Sequence, residues 1–347
     1  MSKRWKHRPE NSTWGDWGDD DELGRINLID EAKVLQGVRE VTEGKAFSLS
    51  LPLDYPGGSA LNQRRYPPIT KPTEDLAHNQ DTFFNIVAKD QIDPSLTDVW
   101  GDDQVTLWLQ YSTQWDALSH QGQLFDADGD GIAEPVYYNG YRPGVDIVGP
   151  KEDAKGDGSG SKSFNFHLGI EHLAEHGVQG RGVLIDLRRH LGDDWQPVNY
   201  ATLSDILKAD NVVVEPGDIV LLHTGFATTV LSWAKNPDPA KIQAMHPYLD
   251  ASDDAILQWI IDSQLSALVA DNYAVEGWAA QSPEPHTLLP IHNLCLFRLG
   301  IPLGELWYLD ALATWLREHN RSRFLLTAPP LNLPGVAGSP LTPVATV

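Results

Sequence analysis

One stretch of the chain gathers side chains that could do chemistry together: Gln110-Tyr111-Ser112-Thr113-Gln114-Trp115-Asp116-Ala117-Leu118-Ser119-His120. The apolar run Val105–Leu109 before it reads as a buried strand entering the stretch. Side chains alternate on extended backbone, so positions 110, 112, 114 and 116 share a face. Gln110, Gln114 and Asp116 can then converge, with His120 brought back by the following turn. Two amide oxygens, a carboxylate and an imidazole form an oxygen-rich cradle for a divalent cation beside a general acid/base.

The stretch resembles the signature of the metal-dependent cyclase/hydrolase family that includes bacterial kynurenine formamidases, isatin hydrolases and trans-dienelactone hydrolases. That signature is H-x-G-T-H-x-D-x-P-x-H. Here Thr113, Asp116 and His120 match, Gln110 and Gln114 stand where the family has metal-binding histidines, and Ser112 and Leu118 replace the Gly and the Pro. A second match lies far upstream, where Trp17–Ile29 reads W-G-D-x-D-E-L-G-x-x-N-L-I, ahead of a helix, a strand and a proline. A third is Pro290–Glu305, in which His292 opens a helix and Glu305 follows a short strand, with one extra residue needed between them. In the family both positions bind metal in dinuclear members.

The resemblance implies Gln110, Gln114, Asp116, His292 and Glu305 around one divalent ion, manganese or zinc, and no nucleotide cofactor. It also implies a hydrolase that opens a cyclic or aryl amide or ester by attack of metal-bound water, with His120 and Asp116 as the catalytic pair. An amide oxygen is a weaker and harder donor than imidazole, so the two glutamines disfavour zinc more than manganese, magnesium or calcium. On the residues alone, Glu305 reads as a charge favourable at a helix N-terminus and His292 as a satisfied core histidine. The rival reading is a metal-free relative, either a binding protein or a lyase or isomerase using His120 and Asp116 alone.

Other residues are candidates for the same site. Tyr111, Trp115, Asn272 and Tyr273 could wall a planar substrate, although most aromatics are core. His223 ends an apolar strand, at the edge where α/β sites often lie. His172 and His176 have the i, i+4 spacing of zinc ligands but sit on a solvated helix face. Asp126-Ala127-Asp128-Gly129-Asp130-Gly131 imitates half an EF-hand loop, yet Tyr137 stands at the twelfth position, so a turn held by aspartate side chains is the better reading.

The elements that must position these groups alternate. Asp30 caps a helix through about Val41, and Ala46–Leu51 is a strand. After residue 169, helices and apolar strands follow one another: helix 169–176 closed by Gly177, strand 182–187, a helix opened by Thr202 with Asp205, strand 219–223, helix 252–263, strand 266–270, helix 291–299 ended by Gly300, helix 306–318 and strand 324–327. Such alternation means an α/β fold with a mostly buried sheet. By resemblance it is the swivelling β/α/β type in one domain, 1–347. Residues 1–29 form a Trp-rich arm packed on the body or on a neighbouring subunit. Residues 52–104 are a long loop or lid, 151–163 a flexible loop, and 328–347 a tail on the surface or across an interface.

With 347 residues and a formal charge of −22, the chain can bury a large core and is poorly suited to nucleic acid or anionic membranes. Its one cysteine, Cys295, sits in an apolar run and fits a reducing compartment. The expectation is a cytoplasmic homo-oligomer, dimer or tetramer, acting on a small molecule.

Overall fold

The computed structural model describes residues 3–74, 83–149, 163–242, 246–277 and 286–347. The 151–163 loop, its last residue apart, lies outside them, as do residues 75–82 of the long excursion. The fold is α/β, built on one mixed nine-stranded sheet. In chain order its strands are β1 (Ala46–Ser48), β2 (Gln114–Asp116), β3 (Gln179–Asp186), β4 (Ile219–His223), β5 (Ala267–Ala270), β6 (Leu303–Glu305), β7 (Arg323–Thr327), β8 (Gly338–Pro340) and β9 (Val344–Thr346). Across the sheet they run β1-β9-β7-β3-β4-β5-β6-β2-β8.

Strands β3 to β6 pair in parallel. Parallel strands need crossovers, which put helices on both faces, so their sequences are apolar throughout rather than alternating. The two faces feed separate cores. Val183, Ile185, Val220, Leu222 and Leu268 join one cluster, and Leu184, Ile219, Leu221 and Val269 join the other. Each such side chain, fully buried, contributes about 2 kcal/mol. The helix Glu31–Arg39, capped by Asp30 accepting from the Lys33 amide, lies on β3. Its Lys33 ammonium and the Arg181 guanidinium of β3 both donate to buried Asp218, each at 2.9 Å.

Four expectations are corrected. Residues 105–109 do not form a buried strand entering the motif. Asp103–Thr106 instead pairs antiparallel with Ile69–Pro72 as an exposed ribbon, and the chain turns at 109–110 before β2. The 328–347 tail is not surface: it supplies the edge strand β8 and the strand β9 between β1 and β7, with Ser339, Ala345 and Val347 fully buried. The helix placed at Thr202 is capped one turn earlier, by Asn199, whose side chain accepts from the Thr202 amide. The last helix begins at Asp310, because Leu303–Glu305 extends as strand and Leu306 takes a φ of 56°. The Trp-rich arm packs on its own body: the Trp14 indole is fully buried and donates to the Phe297 carbonyl at 2.7 Å. Among the described residues no helix is long and apolar enough to cross a membrane.

Candidate metal centre

The centre follows from sheet register. Gln114 and Asp116 are two apart on β2 and therefore share a face, while Trp115 points to the other. Antiparallel pairing sets Glu305 of β6 opposite Gln114 and Leu303 opposite Asp116. Directly paired residues present their side chains on the same face, so Gln114, Asp116 and Glu305 form a compact triangle. The Gln114 amide nitrogen donates to Asp116 Oδ1 at 3.1 Å and to Glu305 Oε2 at 3.3 Å.

His292 enters from the adjacent helix. Pro290 starts that helix, and after His292 the backbone widens into a π-helical stretch, Asn293–Leu299, closed by Gly300 in the left-handed region. Wide turns of this kind collect at functional sites. His292 Nε2 lies 3.2 Å from Glu305 Oε1, and its Nδ1 lies 2.8 Å from Glu276 Oε1. Glu276 is buried and also accepts the backbone amides of Ile291 and His292, at 2.8 and 2.7 Å. The carboxylate thus fixes both the helix start and the ring. A proton held on Nδ1 by Glu276 leaves Nε2 to face the centre, the usual support of a metal-binding imidazole. Ala274 and Val275 just before Glu276 have φ of 78° and 59°, and Leu306 just after Glu305 also lies in the left-handed region. A β-branched residue pays for that conformation, so the fold holds strain beside both carboxylates.

The buried charges at the centre shift one another. Burial raises the Asp116 carboxyl above its ordinary value, and nearby Glu305 adds to the rise, while His120 opposes it. Burial would raise Glu305 as well, but its hydrogen bond with His292 and that ring's charge carry it below the ordinary value. Burial would lower His292, yet Glu276 and Glu305 push it up to about 10.

Two buried oxygens, Gln114 Oε1 and Asp116 Oδ2, have no hydrogen-bond partner. Such orphans cost about 1–3 kcal/mol each. Asp116, His292 and Glu305 offer ligand atoms that all lie within 4.8 Å of one another. One imidazole, two carboxylates and an orphaned amide oxygen fit a divalent ion of the hard to intermediate class.

The remaining candidates divide. Gln110 is in a turn, not on β2, but its amide still reaches the centre's face. Gly338 pairs with Asp116 across β8, and a Cβ there would lie 2.6 Å from Gln110 Nε2. His120 is partly exposed, its Nδ1 3.9 Å from Asp116 Oδ1, placed to exchange protons beside the cluster. Tyr273 receives a hydrogen bond from Asn62 at 3.1 Å and shares a pocket with Gln110 and Tyr111. The Tyr111 hydroxyl holds Gly57 and Gly58. Trp115 is not brought to the site; its fully buried indole donates to the Ala328 carbonyl and packs edge-on against Trp307, 5.0 Å away. Asn272 serves the backbone, bonding the Val275 amide and the Pro247 carbonyl. His223 belongs to a separate cluster, with Nδ1 2.8 Å from Asp186. His172 pairs with Glu22 at 2.8 Å. In the acidic loop, Asp126 accepts the amides of Gly129, Asp130 and Gly131, so its oxygens already hold the turn.

Sequence reading missed Glu276 and Arg65. Glu276 had one signal, a lone acid in the run Ala274-Val275-Glu276-Gly277. Arg65 lay in the excursion, with its Nη1 now 2.6 Å from the Gln110 carbonyl.

With this geometry in view, comparison with known proteins is direct. Residues 47–277 match the family described as "Putative cyclase". A crystal structure of a novel cyclase is 31% identical, with TM-score 0.72, covering 97% of this chain and 97% of that one. Isatin hydrolase A from Labrenzia aggregata, bound to benzyl benzoate, is 14% identical with TM-score 0.53, covering 87% and 93%. Isatin hydrolase A from Ralstonia solanacearum is 16% identical with TM-score 0.53, covering 90% and 94%. At those identities the likeness to the hydrolases is one of fold. No curated protein matches the sequence. The family match spans the motif strand and Glu276, and the cyclase structure at 31% identity also takes in His292 and Glu305, so the chain belongs to the cyclase family.

Proposed function

We propose that the protein is a metal-dependent hydrolase that opens a cyclic or aryl amide or ester, such as a lactam, lactone or formyl amide. One observation carries the reading: Asp116, His292 and Glu305 converge in the core beside two orphaned oxygens, with Glu276 holding the imidazole. A buried group of this kind has no evident structural purpose, since it leaves polar atoms unpaired. The isatin hydrolases that share the fold support the reaction class.

Asp116, His292, Glu305 and the Gln114 amide oxygen would hold the ion, with Gln110 at its edge. When bound, a divalent cation supplies Lewis acidity toward a carbonyl oxygen and makes a nucleophile available near neutral pH. Glu276 keeps the His292 ring oriented. His120, on the solvent side of Asp116, exchanges the proton with the leaving nitrogen or oxygen. Tyr273 and Tyr111 flank the substrate. The same reading places a small-molecule substrate in a cytoplasmic homo-oligomer, with manganese preferred to zinc because oxygen donors outnumber the single imidazole.

The test is elemental analysis on protein purified without chelator, beside Asp116→Ala, followed by a screen of lactams, lactones and formyl amides. About one equivalent of metal, absent from the variant, supports the reading; metal retained by Asp116→Ala removes it. A second reading has its own observation. The Gln114 amide nitrogen bridges Asp116 and Glu305 and could itself offset their charge, as in a metal-free lyase, isomerase or binding protein. That reading expects no metal binding with any cation tried.

A further inference from the structure

A small pocket adjoins the centre, lined by Gln110, Tyr111, Tyr273 and Leu306 from the body and by Asn62 and Arg65 from the excursion. Gln110 and Leu306 tie it to the motif and to Glu305 respectively. Its volume is about 10 Å³, room for a single water-sized group. A substrate therefore enters only if residues 57–65 shift. Three contacts hold them in place: Tyr111 to Gly57 and Gly58, Asn62 to Tyr273, and Arg65 to the Gln110 carbonyl.

Arg65 is the odd member of this group. In a chain of charge −22, an arginine normally finds a carboxylate. Among the described residues Arg65 has none within ion-pair distance, and its one hydrogen bond goes to a backbone carbonyl. A guanidinium has five N–H donors in a planar fork, so most remain for another partner. It is half-buried beside two tyrosine rings. Its positive charge reaches the centre, where it favours the ionised forms of Asp116 and Glu305. A planar cation in the same pocket as two tyrosines suits a carboxylate bidentately.

We infer that Arg65 binds a carboxylate of the ligand between Tyr111 and Tyr273, so that the site selects aryl carboxylates, as substrate or as the acid that ring opening releases. This rests on the proposed function for its location beside the centre, but the test is binding and needs no turnover. Benzoate, anthranilate and neutral benzamide are titrated calorimetrically into metal-loaded wild type, Arg65→Met and Arg65→Lys. The expected result is that both carboxylates bind the wild type and lose tenfold or more in Arg65→Met. Arg65→Lys should recover part of the loss, and benzamide should bind wild type and Arg65→Met equally. Equal carboxylate affinity in wild type and Arg65→Met overturns the assignment, as does absence of carboxylate binding to wild type. Unchanged melting of the variants excludes a folding cause. Anthranilate tighter than benzoate marks the released amino acid as the ligand; equal affinity marks the carboxylate alone. Binding without hydrolysis of any lactam, lactone or formyl amide would keep Arg65 and discard the hydrolase.

Discussion

At the scale of single residues, the centre carries an amide, Gln114, at a position where the resemblance in the sequence leads to the expectation of an imidazole. Gln114 now does two things: its nitrogen joins two carboxylates, and its oxygen is left over. Restoring the imidazole supplies a softer donor, so Gln114→His is expected to raise zinc affinity tenfold or more over manganese. Competition against a chromogenic chelator reads this, and an unchanged ratio means residue 114 is not a ligand. Glu276 reaches the centre through His292, whose ring and helix start it holds. Glu276→Gln keeps one accepting oxygen for the His292 amide and ring but sets an NH2 against the Ile291 amide that Oε2 now accepts, so it weakens both the helix start and the grip on the ring. Loss of such an outer partner typically costs about 10–100-fold in metal affinity. Calorimetry with manganese tests it, and wild-type affinity in the variant would show that His292 does not coordinate.

At the scale of elements, His223 shows how strand ends trap charge. It closes β4 beside Asp186, the last residue of β3, and is almost fully buried. Burial alone would lower its pKa, but the hydrogen bond to Asp186 and the nearby carboxylate of Asp310, 3.7 Å away, raise it to about 9. The folded state therefore prefers the protonated ring. Its contribution is complete below the ordinary imidazole value of about 6.5 and fades as pH climbs through 9, a difference on the order of 3 kcal/mol. The melting-temperature gap between wild type and His223→Gln should narrow steadily from pH 6 to 10. A gap that stays constant or widens would contradict the pairing. The helix bearing His292 was legible as 291–299 with its end at Gly300, but its π-helical winding was not, because apolar periodicity does not separate 3.6 residues per turn from a wider turn over seven residues.

At the scale of the whole molecule, metal and stability are linked. An ion that binds only the folded chain at about a hundred times its dissociation constant adds about 2.7 kcal/mol. Manganese should raise the melting temperature of wild type and leave Asp116→Ala unmoved; equal shifts in both would point to surface binding. The ribbons over 69–106 expose Ile69, Phe84, Val99, Trp100 and Val105. Exposed apolar side chains of this kind suit a partner copy. Sedimentation at micromolar concentration should return a dimer or tetramer, and a monomer would refute this.

The sequence by itself determined the α/β class, since buried parallel strands must be apolar runs separated by helices, and it determined most helix ends, since Asp30 and Gly300 carry their geometry in their own side chains or lack of one. It also marked Asp116, His292 and Glu305 through resemblance to a family motif. The tertiary structure alone decided the rest. That Trp115 faces away while Gln114 and Glu305 meet depends on a three-residue strand and its register, which no local pattern sets. That the tail is sheet rather than surface depends on partner strands far away in the chain: β8 pairs with β2, and β9 with β1 as well as with nearby β7. Glu276 and Arg65 come to the centre only through long-range packing. Side-chain chemistry is written locally, but the convergence of charge in a buried site is the property of the closed fold.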